Sequence, residues 1–220
     1  MPRPAAAPPE QMQARILQAA ESQLRRYGPD KLTVTDIAKE CGMSHPNLYR
    51  FYSCKAAILN AVTDRWLGEV QDALREVIAR PGTAGERLEA FILAYHRIKL
   101  SKVGDDPEMF RLYQDIVRAS EGTLKAHGDA ICGIAATVIR EGVRDGEFPA
   151  DVPVESIVQV FRDAATAFHH ASLVREMAAV GDGEERLRAV VRVLLDGFRA
   201  RAGHPAAGKG TKRKPVLATT

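Results

Sequence analysis

Residues 33–59 limit the possible folds more than any other part of the chain, because two short helical patterns lie there on either side of a single glycine. Thr33 is a helix-capping residue, and Asp36 three positions on makes a weak capping box. Ile37, Ala38 and Cys41 give a first helix, expected over about 34–40, one apolar side. Gly42 supplies a tight turn, and Ser44 is the expected cap of a second helix over about 44–51. Pro46 falls in that helix's first turn, where its missing N–H removes no helix bond. Leu48, Phe51 and Tyr52 include the inward face, which leaves His45, Asn47 and Tyr49 to point outward. Such an outward polar set is what a helix lying in a DNA major groove presents.

Helical periodicity continues on both sides. Ile16, Leu17, Ala20, Leu24 and Tyr27 recur at helical spacing over Glu10 to Tyr27, and Gly28 and Pro29 end the pattern. A long helix is expected from about Lys55 to Ala79, with Ile58, Val62, Trp66, Val70 and Leu74 on its stripe and Pro81 and Gly82 as its stop. Three further helices are expected over 84–103, 107–118 and 122–145. Two last stripes follow, one running from Val154 to Phe168 and one from Leu187 to Phe198, with Gly181 to Gly183 between them. There is no strand pattern and no internal repeat. The expected fold is therefore all-α. Residues 10–60 form an N-terminal three-helix helix-turn-helix domain, and 61–202 a C-terminal helical domain. Residues 1–9 are expected to be a disordered arm and 203–220 a flexible basic tail.

Charge agrees with that division. Residues 1–60 carry a net +3, residues 61–202 a net −4 and residues 203–220 a net +4. A basic end before an acidic middle fits a DNA-reading domain joined to one that does not touch DNA. No run approaches the roughly 18 apolar residues of a membrane span, so no membrane partner is expected. Cys41, Cys54 and Cys132 are widely spaced and lack metal-ligand spacing. With no apolar signal core after Met1, reduced thiols in a cytoplasm are the expectation.

The order Thr-Val-x-Asp-Ile-Ala, Gly-Met-Ser, Leu-Tyr-Arg-Phe-Tyr and then Lys55 resembles the tetracycline-repressor (TetR) family of bacterial transcription regulators. The motif likeness covers roughly residues 13–62, and the helical layout extends it to about residue 202. The resemblance implies a homodimer joined through the last two long helices, binding double-stranded DNA at an inverted-repeat operator. It implies base-edge contact from His45 and Pro46, phosphate contact from Lys55, and from Tyr49 contact with a phosphate oxygen and partly with a base. Asn47 either bonds a phosphate or caps locally, and Arg50 either bonds a phosphate or is solvated. Thr33, Thr35 and Ser44 complete the set of DNA-binding residues, with hydroxyls and N–H groups at helix starts. Three positions depart from the family's habit. Thr35 stands where a basic residue is frequent, Phe51 where His or Tyr is, and Cys54 where Ser or Asn is; Ser53 is a substitute cap for the last.

The family also implies a small-molecule effector bound between helices of the second domain. Phe91, Tyr95, His96, Met109, Tyr113, Ile116, Phe168 and His169 are the candidate lining, against the plainer reading that aromatic stripes are core. His96, His127, His169 and His170 raise the question of a metal, with Asp129 or Asp163 as an acidic neighbour. Yet His169 and His170 are adjacent, about 100° apart on a helix, and no His-x3-His or Cys-x2-Cys pair is present. No metal and no cofactor are expected. The chain also lacks a nucleophile elbow, a His-Glu-x-x-His run, a phosphate loop and a dinucleotide fingerprint, so a metal-dependent enzyme is the remote alternative. The leading expectation is a repressor released by its ligand. A ligand-requiring repressor or an activator uses the same parts, and a non-specific DNA-packaging protein disagrees with the acidic middle.

Overall fold

The computed structural model describes residues 8–119, 121–170, 173–179 and 181–203, all of them helix, turn or loop. Residues 1–7 of the expected arm and 204–220 of the expected tail lie outside the described residues. Ten helices follow in order: α1 (Pro9–Tyr27), α2 (Val34–Glu40), α3 (His45–Leu48), α4 (Lys55–Ile78), α5 (Ala84–Asp105), α6 (Pro107–Ala119), α7 (Glu121–Arg144), α8 (Val154–His169), α9 (Val174–Ala179) and α10 (Gly183–Gly203).

Two apolar cores organise them. In the first, α1 lies across α2 and α3, and Ile16, Ala20, Leu24, Ile37, Leu48 and Ile58 are all without solvent exposure. The second fills the space between α4, α5, α7, α8 and α10, around Leu74, Leu88, Val138, Ile139, Ile157 and Leu187. The long helix α4 belongs to both: Ile58, Val62, Trp66 and Leu67 serve the first core, Val70, Leu74 and Ile78 the second. Helix α6 joins the first core from the other side, through Met109, Phe110, Leu112 and Tyr113.

Local chemistry fixes the helix starts that matter. Thr83 and Glu86 form a reciprocal capping box on α5: the Thr83 Oγ1 accepts from the Glu86 N–H at 3.2 Å, and a Glu86 carboxylate oxygen accepts from the Thr83 N–H at 2.9 Å. Glu147 adds a second anion at that positive helix end, accepting from the Gly85 N–H at 3.0 Å while Arg199 of α10 holds the same oxygen at 2.6 Å. Gly142 of α7 has no room for a side chain, since an added Cβ would sit 2.4 Å from the Phe148 ring and 2.8 Å from the Ala84 Cβ.

The structure departs from the sequence reading in two places. The second motif helix is regular only over His45–Leu48; beyond it the chain tightens, with the Arg50 N–H donating to the Asn47 carbonyl and the Phe51 and Tyr52 N–H groups both donating to that of Leu48. And α9 intervenes between the two last stripes, where the sequence suggested only a glycine-rich break. It is too short to show a period, yet its Val174 is fully buried in the first core.

Candidate nucleic-acid interface and buried cavity

The α2–α3 pair is built as the sequence required at its first cap and differently at its second. The Thr33 Oγ1 accepts from the Asp36 N–H at 3.1 Å, while the Asp36 carboxylate takes the Thr33 hydroxyl proton and leaves the Thr33 N–H alone. Gly42 sits at φ +66° with nothing near its missing side chain, so it serves backbone conformation and not packing. Ser44 occupies the capping position of α3, but its hydroxyl makes no capping bond, which corrects the expected cap. Neither Cys54 nor Ser53 caps α4; the Ser53 hydroxyl meets only the Cys54 Sγ, at 4.0 Å.

Of the nine candidate DNA-binding residues, Thr33, Thr35, Ser44, His45, Pro46, Tyr49 and Arg50 are exposed, and Asn47 and Lys55 are half-buried. Leu48 anchors the set from below with no exposure, and Tyr49 stands 42% exposed with its ring edge-on to that of His45, centroids 4.9 Å apart. The Lys55 ammonium donates to the Pro29 carbonyl at 3.0 Å, so one of its three protons ties the start of α4 to the end of α1.

Behind this head, the second core contains a cavity of about 190 Å³. Its axis follows α5. Leu88, Phe91, Ile92, Tyr95 and Lys99 share one face of that helix and all reach the cavity. Helix α7 runs antiparallel beside it, bringing Ile139, Ile131 and His127 in turn, and α8 closes the side with Val158, Phe161 and Ala165. The far end is apolar. The end next to α6 is polar, where Lys99, Tyr113 and His127 meet. Arg162, Thr166 and His170, all exposed, stand at the mouth.

The polar end is unusual in its bonding. The Lys99 side chain, 4% exposed, has its ammonium over the Tyr113 ring at 4.7 Å and the Tyr95 ring at 5.2 Å. No carboxylate accepts from it among the described residues, and burial pulls its pKa down to about 8. The Tyr95 hydroxyl and the His127 Nε2 are 3.2 Å apart. In the tautomer where the Tyr95 hydroxyl donates to Nε2, the neutral imidazole carries its own hydrogen on Nδ1. That Nδ1 has no partner among the described residues. Burial first and the Lys99 charge second lower the His127 pKa to about 4. The His169 Nε2 donates to the Ile92 carbonyl at 3.2 Å, and burial, then His96 and Lys99, lower its pKa to about 3.

Four of the eight candidate lining residues reach this cavity: Phe91, Tyr95, Tyr113 and His169. The other four do not. The His96 Nδ1–H is committed to the Phe168 carbonyl at 3.1 Å, and the Phe168 ring packs edge-on against His96. Met109 is buried in the first core and Ile116 packs against it, because α6 turns those side chains toward the head. Sequence reasoning missed Lys99, although a lysine continuing the Leu88, Phe91, Tyr95 stripe was a readable signal; His127 was weighed with the other histidines, for a metal or as a hydrogen-bonded group in a pocket wall or at the dimer seam, but not placed in the candidate lining. The histidines do not gather into a metal centre: among the described residues no three His, Cys, Asp or Glu side chains stand close enough to share an ion.

Cavity and head are joined by aromatic contact. Tyr113 lines the cavity and lies in the first core, with its ring 5.6 Å from that of Trp66 and 6.0 Å from that of Phe110. Around it the α5–α6 corner grips α1 by ion pairs. Arg25 makes a two-pronged contact with Asp106 at 3.1–3.3 Å, and Arg111 pairs with Asp30. Gly28, at φ +77°, lies against the Glu108 carboxylate, which a Cβ there would meet at 2.7 Å.

A three-helix reading head on a helical body with an internal cavity defines a class: helix-turn-helix regulators that bind DNA. Comparison with known proteins agrees. Residues 16–62 match the model of bacterial regulatory proteins of the tetR family, and residues 84–191 match a tetracyclin repressor-like C-terminal domain. The chain belongs to the TetR family of transcriptional regulators, a family without enzymatic activity. It is 26% identical to the transcriptional repressor KstR2 of Rhodococcus jostii, over 68% of this chain and 74% of that protein. Its fold resembles that of the regulator FadR from Bacillus subtilis, solved with stearoyl-CoA (TM-score 0.60, 20% identity, 84% of this chain and 98% of the other). It also resembles RolR, solved with resorcinol (TM-score 0.56, 16% identity, 90% and 96%). No helix among the described residues is long and apolar enough to cross a membrane.

Proposed function

We propose that the chain is a homodimeric repressor that leaves an inverted-repeat operator when a small molecule fills the cavity. The observation that carries this reading is Tyr113, one side chain that forms a cavity wall and packs into the core of the reading head. A ligand that repositions Tyr113 acts on Trp66 of α4, and α4 begins at Lys55 beside α3. Effector binding thereby shifts the population toward a state whose two heads no longer match the operator spacing. Similarity to KstR2, a repressor, and to folds solved with stearoyl-CoA and resorcinol supports the same reading.

Dimerisation is supported by what α8 and α10 leave outside. One face of each packs inward, and the pair still exposes Val160, Val190 and Val193, the last at 72%. Apolar side chains on two adjacent helices fit a four-helix seam with a second copy. On DNA, His45 and Pro46 meet base edges, Pro46 through apolar contact alone. Tyr49, Arg50, Thr33, Thr35, Ser44 and Asn47 meet the backbone, and Lys55 has two protons left for a phosphate.

Selection of fragmented genomic DNA by the purified protein at physiological salt, with light scattering of the same sample, tests the reading. Recovery of a shared inverted repeat by a dimer is the expected result. Binding without a shared sequence, or a monomer on DNA, would overturn it.

A further inference from the structure

We infer that the cavity's ligand is an elongated apolar monocarboxylate, its anion held by the Lys99 ammonium and the His127 Nδ1–H and its tail lying along α5 toward Leu88. This inference rests on the reading of the cavity as the effector site and names the class of compound it takes.

Among the described residues, the polar end of the cavity holds an ammonium without an anion and a ring nitrogen without a partner. Lys99 is buried beneath two tyrosine rings and pairs with no carboxylate among the described residues. An ammonium in that position loses its water and recovers only part of the loss from the ring faces. His127 adds a ring nitrogen that is buried and unpartnered, and that carries the hydrogen in the tautomer where Tyr95 donates to Nε2. Two donors at one end of one cavity are completed by an anionic oxygen pair: one oxygen accepts from the ammonium, the other from the imidazole. A neutral ligand would leave the charge unmatched, and a cation would be repelled by it.

The remaining wall sets the rest of the molecule. From Lys99 to Leu88 the cavity-facing residues of α5 span about 16 Å at the helical rise, and toward Leu88 the wall is hydrocarbon: Ile139, Val158 and Phe161. The volume of about 190 Å³ exceeds the roughly 150 Å³ of an engineered apolar cavity that takes benzene. A slim chain or a single substituted ring fits, and a broad polycyclic compound does not. The anion would sit against Tyr113, the residue shared with the head.

The test is calorimetric titration of the full chain with hexanoate, octanoate, decanoate and dodecanoate, each beside its primary amide. The acids should bind at least about ten-fold more tightly than the amides. Lys99→Met, which keeps the stem and removes the charge, should abolish that preference and leave amide binding in place. Equal affinity for acid and amide, no binding of any acid, or acid binding unchanged in Lys99→Met would overturn the inference. The acid–amide comparison on the unaltered chain holds even if the variant fails to fold. Operator selection is read separately. Acid binding through Lys99 by a protein that selects no operator would sink the repressor reading alone, and operator release by neutral compounds only would sink this inference alone.

Discussion

Of the Asp, Glu, Lys and Arg side chains among the described residues, the fold buries two, Glu21 in the reading head and Lys99 in the cavity, at 7% and 4% exposure. Their surroundings are opposite. Glu21 has Arg65 at 3.2 Å and Arg25 at 3.7 Å, both reaching in from the surface. Lys99 has two aromatic faces and no anion. A buried charge with its counter-ions supplied by the same chain is part of the architecture. A buried charge without one leaves a desolvation cost unmatched, and on the proposed reading an anionic ligand offsets it. The head is a finished solid whose working groups face outward, whereas the body keeps its working groups inside.

Acid should expose this difference most strongly. His127 and His169 have folded pKa values of about 4 and about 3, well below the ordinary 6.5, with burial as the first cause. A depressed folded pKa contributes stability that is present above the unfolded value and lost as pH falls toward the folded one. Between pH 7 and pH 5 the unfolded chain therefore takes up protons that the folded body refuses, and about 3 kcal/mol of unfolding free energy should disappear. Both folded values lie below pH 5, so the two rings supply nearly equal parts. Glu21 works the other way: burial outweighs Arg65 and raises its pKa, so the folded head accepts a proton more readily than the unfolded chain. Chemical denaturation at the two pH values measures the loss, and His127→Gln with His169→Gln should remove most of it. An undiminished slope in that double variant would remove the histidines as the cause.

Exchanging the two buried charges for hydrocarbon should give unequal shifts. Lys99→Met relieves an unmatched ammonium and should raise stability by about 1–2 kcal/mol, as replacement of buried ionic groups by packed apolar ones can. Glu21→Met strands Arg65 and Arg25, but both are a third or more exposed and rehydrate, and burial already outweighs their attraction for the Glu21 charge, so stability should change by less than about 1 kcal/mol. Thermal unfolding of both variants reads the shifts. Equal stabilisation by both would mean that the arginines around Glu21 offset none of its burial, and the contrast between the two regions would fail.

The link between the regions should yield a smaller effect. Tyr113→Leu keeps an apolar cavity wall and removes the ring that touches Trp66 and Phe110. Operator affinity without ligand should change little, while the weakening caused by decanoate should shrink about five-fold, or about 1 kcal/mol of coupling. Unaltered coupling in this variant would place the transmission elsewhere, for example in the Arg25–Asp106 and Arg111–Asp30 pairs.

The two regions also differed in how far the sequence revealed them. The head is built from short-range rules: a cap at Thr33, a glycine turn at Gly42 and a buried Leu48 leave few ways to face His45 and Tyr49 except outward. Those rules do not say that α3 ends at Leu48, because the tightening beyond it is set by how Phe51 and Tyr52 pack on the head. The cavity depends on long-range choices. Met109 and Tyr113 are one turn apart on α6, yet both reach the first core and only Tyr113 also reaches the cavity. Phe168 and His96 pack on each other, a pairing of residues 72 apart in sequence that no local pattern encodes. Lys99 was legible as an oddity, a cation on an apolar stripe, but its lack of an anion becomes visible only when α6 and α7 are in place.

The smallest expected effect tests the outward-facing half of the contrast. Tyr49 is 42% exposed and its ring rests edge-on against His45, so the aromatic contact survives Tyr49→Phe and only the hydroxyl is lost. Water already satisfies that hydroxyl in the free protein, and stability should therefore stay within about 0.5 kcal/mol of the parent. On the proposed reading the same group donates to a phosphate oxygen of DNA, so operator affinity should fall a few-fold, about equally for matched and mismatched operators. The salt slope should hold steady, because a neutral hydroxyl releases no counter-ion; Arg50→Ala, measured beside it, should shallow the slope by about one unit. The head's polar groups would then change binding without changing stability, whereas Lys99 and His127 change both, because water covers the first set and is excluded from the second. If Tyr49→Phe lowered stability and spared operator binding, Tyr49 would be a packing residue and the outward reading of α3 would lose its best-placed side chain.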